Sequence, residues 1–273
     1  MSDEPYLMRQ HSDRPAGRMV KVSAGAVIAL AGVTLLAWPL WPYASWAWRR
    51  VSGGVTVAER LGQYGPAARA RLQPAFTEAG VPYPPAELVL VGIKDRKQLE
   101  LWARDAGGPF RHVRTYPILA ASGGPGPKLR QGDRQVPEGL YRIESLHPNS
   151  LYHLALRVNY PNAHDRRQAA AEGRTHLGGD IMIHGSDGSV GCLAMGDRAA
   201  EDLFVLVAET GLANTRVILT PVDFRTSELP EQAAELPAWT GQLYSAIRRA
   251  LEPLRAGEDA GLDAAPHPAS PRP

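Results

Sequence analysis

The one cysteine of the chain, Cys192, follows His184 by eight positions in the segment GGDIMIHGSDGSVGCLAMGD, residues 178–197. A free thiol is mostly protonated at neutral pH, but an adjacent imidazole can accept its proton, stabilise the thiolate and later hand the proton to a leaving amine. Alternation along the apolar run sets Ile181 and Ile183 on one face and Met182 and His184 on the other, so His184 emerges at the strand end beside Gly185. Gly188 and Gly191 allow a sharp backbone reversal that would bring Cys192 within hydrogen-bond reach of the ring. The second ring nitrogen then needs an acceptor, and the carbonyl of Gly185 or a close neighbour is the natural one in a tight turn. The N–H groups of Gly191 and Cys192 are candidates to face an oxyanion, donors of a kind worth about 3 kcal/mol each. Ser189 reads as a turn residue or as support on the oxyanion side, and the same reading outweighs Ser186 or Ser189 as a serine nucleophile. Spacing alone leaves a second reading open, because a lone cysteine between apolar residues also suits a small buried hydrophobe.

What surrounds this segment narrows the chemistry. Thirty basic and 28 acidic residues leave a net charge of +2 with no dominant basic patch, which argues against a nucleic-acid partner. A single cysteine excludes an internal disulfide and any Cys-x-x-Cys metal or redox motif. His176, Asp180 and His184 recur every fourth position, a helical spacing that would suit a zinc peptidase. Gly178, Gly179 and the β-type Ile-Met-Ile run oppose a helix there, and no His-Glu-x-x-His is present, so no metal and no cofactor are expected. His147, His153 and His164 read as ordinary strand or loop histidines.

Between Lys21 and Arg49 lie 27 residues without a charge, ending in Trp38, Trp41, Tyr43, Trp46 and Trp48. Roughly 20 apolar residues span a bilayer, and such aromatics favour the headgroup level. The expectation is therefore a cytoplasmic N-terminus over 1–21, a single transmembrane anchor over 22–48 and a periplasmic remainder at the bacterial inner membrane. A stalk with a short helix is expected over 49–86, the main domain over 87–225, a helical extension over 226–255 and a disordered Pro/Ala-rich tail over 256–273. Within the main domain, β-rich runs at Leu88–Ile93, His112–Ala120, Leu140–Ser145, Leu151–Val158, Asp180–His184 and Arg216–Phe224 alternate with turn residues. Two helices are expected among them, one opening at Asp95 with Gln98 as a capping-box partner, the other capped by Asp197 and closed by Gly211. The fold class is thus mainly β with flanking helices, mostly antiparallel and read as a sandwich.

Three stretches in order carry a family resemblance. GDRQVPEGLYRI, residues 132–143, resembles the Gly-Asp-x-x-Thr-Pro-x-Gly-x-Tyr-x-Ile signature of YkuD-type L,D-transpeptidases, with Val136 in the Thr place. LRVNYPNAHDR, residues 156–166, is similar to the family's Tyr-Pro-Asn segment, and IMIHGSDGSVGCLAM, residues 181–195, to its His-Gly and Ser-x-Gly-Cys catalytic motif. Residues 81–103 look like the YafK-like branch, which shortens the loop between the catalytic His and Cys. The resemblance implies an L,D-transpeptidase-like β-sandwich in which Cys192 is acylated by a peptidoglycan stem peptide, His184 is acid and base, and Tyr160 lines the substrate groove. It implies release of a terminal D-Ala and transfer of the thioester-bound acyl group to an amine or to water. Val190 stands where many members carry a second His, and Ala194 where many carry Arg or Asn. Hydrolysis by the same residues, including detachment of a wall-linked lipoprotein, and an inactive anchored wall-binding module remain the alternatives.

Overall fold

The computed structural model describes residues 54–229 and 236–255. The expected anchor over 22–48 and the tail over 256–273 lie outside these residues, and among the described residues no helix is long and apolar enough to cross a membrane.

Eight strands form one sheet: β1 (Glu87–Ile93), β2 (Gln98–Arg104), β3 (Arg111–Pro117), β4 (Gly139–Ser150), β5 (His153–Val158), β6 (Met182–His184), β7 (Leu193–Ala194) and β8 (Thr215–Thr220). Their order is β3-β2-β1-β8-β4-β5-β6-β7, with parallel pairing only at β1/β8 and β6/β7. β4 serves both halves: its first residues pair with β8 and its later ones with β5, across register shifts that bend a strand. The chain leaving β3 at one edge then bridges β7 at the other, where the Ala194 N–H donates to the Ala120 carbonyl at 2.9 Å and the Leu119 N–H to the Ala194 carbonyl at 2.8 Å. One core draws on both halves, with Leu90 and Leu99 from one and Leu156 and Ile183 from the other, and the bridge through Ala120 lies beside the candidate site.

Two apolar layers flank the sheet. Along β1 alternate residues divide between them, Leu88 and Leu90 facing one core and Val89, Val91 and Ile93 the other. Burial on both faces is why this run reads as continuously apolar.

Four helices complete the domain: α1 (Val57–Ala79), α2 (Ala163–Ala171), α3 (Asp197–Thr210) and α4 (Thr240–Leu251). The segment expected as a stalk carries α1, opened by a Thr56/Glu59 capping box and ended by left-handed Gly80. Its Ala68, Leu72 and Phe76, four residues apart on one stripe, are fully buried, Leu72 and Phe76 in the first core. Each large side chain so buried contributes roughly 1.5–3 kcal/mol, so the helix is part of the domain. Helix α4 covers the second core through Leu243, Tyr244, Ile247 and Leu251.

The helix expected to open at Asp95 is instead strand β2. Leu99, Leu101 and Ala103 alternate into the core, and the full length of β2 pairs with β1, so tertiary burial overrides the capping-box pattern. Asp197 is the first residue of α3 and not its cap, which is Gly196 without a side-chain bond. Gly211 does take a positive φ at the C-terminus of α3, with an extended ψ of 142° instead of the left-handed helical one.

Candidate active site

Strands β6 and β7 run parallel with His184 opposite Ala194, joined by the eight-residue connection 185–192. Parallel neighbours are usually joined by a dozen or more residues, so this turn is tight. Gly185 is required in it by close approach: a Cβ there would lie 2.6 Å from Asp197 Oδ1 and 2.9 Å from both His153 Cβ and the Tyr152 carbonyl oxygen. Ser186 and Gly191 both have positive φ, at 63° and 79°, whereas Gly188 does not. The Ser186 N–H donates to Asp197 Oδ1 at 2.8 Å, which is the role Asp197 has in place of a helix cap.

His184 is buried, with 2% of its surface exposed. Its Nδ1 lies 2.6 Å from the Gly185 carbonyl, the acceptor expected from the sequence. A carbonyl only accepts, so Nδ1 carries the hydrogen and the Nε2 lone pair of the neutral ring is left free for a proton. The Tyr152 ring, half exposed at the β4–β5 hairpin, lies over the imidazole with centroids 4.8 Å apart. Burial depresses the His184 pKa below the ordinary imidazole value, against the opposing effect of the Gly185 hydrogen bond.

Cys192 is partly exposed. Its Sγ donates to the Asp180 carbonyl and accepts from the Met182 N–H, each at 3.4 Å. Among the described residues no hydrogen bond joins it to His184. Burial raises the thiol pKa, the Met182 N–H and Lys128 acting against this and Asp180 with it. Both shifts favour the uncharged forms, with His184 at the end of β6 and Cys192 in the turn just before β7.

The two amides expected to face an oxyanion are both engaged. The Gly191 N–H donates to Ser122 Oγ at 2.8 Å, and the Cys192 N–H to Ser189 Oγ at 3.2 Å. Ser189 therefore does sit beside Cys192. Tyr160, expected in the groove, is instead buried, its hydroxyl donating to the Lys128 and Leu177 carbonyls at 3.2 and 3.3 Å. It ties two loops together and presents no surface to a substrate. Asp180 pairs with Arg157, and among the described residues no cluster of His, Cys, Asp or Glu could hold a metal ion. His147 and His153 bond Ser145 Oγ and Glu201 respectively, while His164 packs edge-on to Trp239, all as structural residues.

Ser122 and Tyr152 escape sequence reasoning, because they meet the turn only through the chain beyond β3 and the β4–β5 hairpin. Leu119, Tyr152 and Val190 are exposed large side chains in or against this turn.

Residues 86–220 match the YkuD family, the L,D-transpeptidase catalytic domain. The chain is 38% identical over 116 residues to the putative L,D-transpeptidase YafK of Escherichia coli K12, covering 42% of this chain and 44% of that one. It thus spans less than half the length of the curated relatives it matches. Among solved structures, the helical cell shape determining protein Pgp2 of Campylobacter jejuni is 24% identical with a TM-score of 0.42, covering 50% of this chain and 48% of that one. Mycobacterium tuberculosis L,D-transpeptidase 1 is 16% identical with a TM-score of 0.29, covering 49% of this chain and 62% of that one.

Proposed function

Residues 86–220 belong to the YkuD family of L,D-transpeptidase catalytic domains, and from that membership we propose that the protein is a peptidoglycan-modifying cysteine L,D-transpeptidase with Cys192 as nucleophile and His184 as acid and base. The observation that carries this reading is the Nδ1–H bond of His184 to the Gly185 carbonyl, which leaves Nε2 as a base on the strand beside Cys192.

In the proposed reaction Cys192 Sγ attacks a stem-peptide carbonyl as its proton passes to His184 Nε2. The oxyanion takes the Cys192 N–H from Ser189 Oγ, a long bond that a charged acceptor replaces at a gain. His184 then protonates the leaving amine of the terminal D-amino acid, and a thioester remains on Cys192. An acceptor amine gives up a proton to His184 as it attacks the thioester, and the thiol is restored. Water in place of the amine gives the hydrolytic outcome with the same groups.

The resting state fits general-base attack by a neutral pair. Burial disfavours the ions before substrate arrives, and the proton moves only as the new bond forms. We further propose that the uncharged stretch 22–48 anchors the enzyme in the inner membrane with its catalytic domain in the periplasm, where the peptidoglycan lies.

The test is muropeptide mass spectrometry after incubation of the full-length protein with purified sacculi, native beside Cys192→Ala. New 3-3 cross-links made only by the native protein would establish transfer. Trimmed tetrapeptides or released bound peptide would establish hydrolysis instead. Identical muropeptide profiles from the two proteins would overturn the catalytic reading and leave an anchored binding module.

A further inference from the structure

The signature stretch that begins at Gly132 contributes no side chain to the reaction described above, yet its bonds converge on one carbonyl. Asp133 Oδ2 accepts from the Leu129 and Arg130 N–H groups at 2.9 Å each, and Oδ1 from the Gln135 N–H at 3.1 Å and Lys128 Nζ at 2.6 Å. Gln135 Nε2 donates to the carbonyls of Gly124 and Gly126 at 2.8 and 2.6 Å. Between these two anchored residues Arg134 is held at φ 56°, a left-handed conformation that a non-glycine residue rarely adopts. Strain of this kind persists only where the surroundings over-determine it.

The product of that strain is the direction of the Arg134 carbonyl, which accepts from Ser122 Oγ at 2.6 Å. Ser122 Oγ in turn accepts from the Gly191 N–H at 2.8 Å, across 69 positions of sequence. Gly191 is the left-handed residue immediately before the nucleophile. The segment that carries Ser122 is itself fastened at both ends. Leu119 and Ala120 pair with Ala194, while buried Glu138 accepts from Lys94 Nζ, the Gly126 N–H and the Tyr244 hydroxyl at 2.8, 2.8 and 2.7 Å.

We propose that Ser122 is a positioning residue for the nucleophile: aimed by the Arg134 carbonyl, its hydroxyl holds the Gly191 amide and with it the backbone bend that presents Cys192. The proposal rests on the catalytic reading given above and divides the two turn amides between two roles. The Gly191 amide is structural, committed to a short two-bond bridge. The Cys192 amide, at 3.2 Å from a hydroxyl only three residues away, is the exchangeable donor. The Asp133-centred turn then exists to point one carbonyl at one serine.

The experiment compares full-length native protein with Ser122→Ala and Ser122→Thr by hydrogen exchange of the peptide spanning 186–195, and by kcat and KM on a soluble disaccharide tetrapeptide. Ser122→Ala is expected to exchange faster at this turn and to lose about tenfold in kcat at unchanged KM, the loss of one well-made hydrogen bond. Ser122→Thr, which keeps the hydroxyl, is expected to restore both. Exchange unchanged in Ser122→Ala overturns the proposal, as does a loss that falls on KM or that Ser122→Thr fails to restore while its circular dichroism stays native. Faster exchange in Ser122→Ala, in a protein whose native form turns nothing over, would leave the bridge standing and sink the catalytic reading alone.

Discussion

His184 ends β6 and Cys192 sits in the turn just before β7, and the two are held in opposite ways. The imidazole is buried, fixed in one tautomer by a 2.6 Å bond and covered by Tyr152. The thiol is partly exposed and, among the described residues, makes two 3.4 Å sulfur contacts, to the Asp180 carbonyl and the Met182 N–H. Weak sulfur bonds are easily exchanged, whereas a short bond to a buried ring is not. In the proposed mechanism the base is therefore the firmly held member of the pair, and the nucleophile the loosely held one.

This contrast breaks most severely at Gly185. A Cβ there meets Asp197, His153 and the Tyr152 carbonyl at 2.6–2.9 Å, so Gly185→Ala must displace the residue whose carbonyl fixes the ring. Expected is a loss of roughly a hundredfold in kcat with a drop in thermal stability of about 1–3 kcal/mol, read by turnover assays and melting curves. Turnover near native would mean that the Gly185 carbonyl does not set the base.

A smaller effect is expected in the pH dependence, where the two groups shift in opposite directions. The folded His184 pKa is lowered by burial, so an unfolded chain takes up this proton first as pH falls. Its stabilising contribution is thus present above the ordinary imidazole pKa and lost as pH falls through the depressed one. The folded Cys192 pKa is raised by burial, so its contribution is present below the ordinary cysteine pKa and lost as pH rises through the elevated one. Alkylation of Cys192 by iodoacetamide should accordingly rise with pH at a midpoint above that of a free cysteine. A midpoint below it would indicate a thiolate already paired with His184 at rest, and would erase the contrast.

Tyr152→Ala sharpens the comparison with the least disturbance, since the side chain is half exposed. Uncovering the ring rehydrates it, so the acid limb of kcat/KM is expected to move up towards the ordinary imidazole pKa, with a few-fold loss in rate. An unmoved limb would assign the depression to the rest of the pocket.

Much of the site could be read from local pattern. Alternation placed His184 at a strand end, and the adjacent glycine predicted the acceptor of its Nδ1–H, because both depend on residues within one or two positions. The errors came where distant partners decide. Residues 98–104 have a capping-box start but form β2, since β1 offers a full ladder and alternate residues find a core. Residues 57–79 look like a spacer until α3 and β3 are seen to bury one stripe of them. Tyr160 belongs to a recognised segment, but only the loops packed around its hydroxyl reveal that it is enclosed.

By itself the sequence determined which groups can react, the order of strand, turn and helix around them, and the family to which residues 86–220 belong. Those follow from residue type and near-neighbour spacing, which act within a few bonds. Only the tertiary structure decided that the chain beyond β3 bridges β7 through Ala120 and Ala194, that burial shifts both groups of the pair towards their uncharged forms, and that the Gly191 amide is held by Ser122. Burial and hydrogen bonding between segments far apart in sequence set these, because desolvation depends on everything packed around a group and a donor answers to whichever acceptor the fold brings to it.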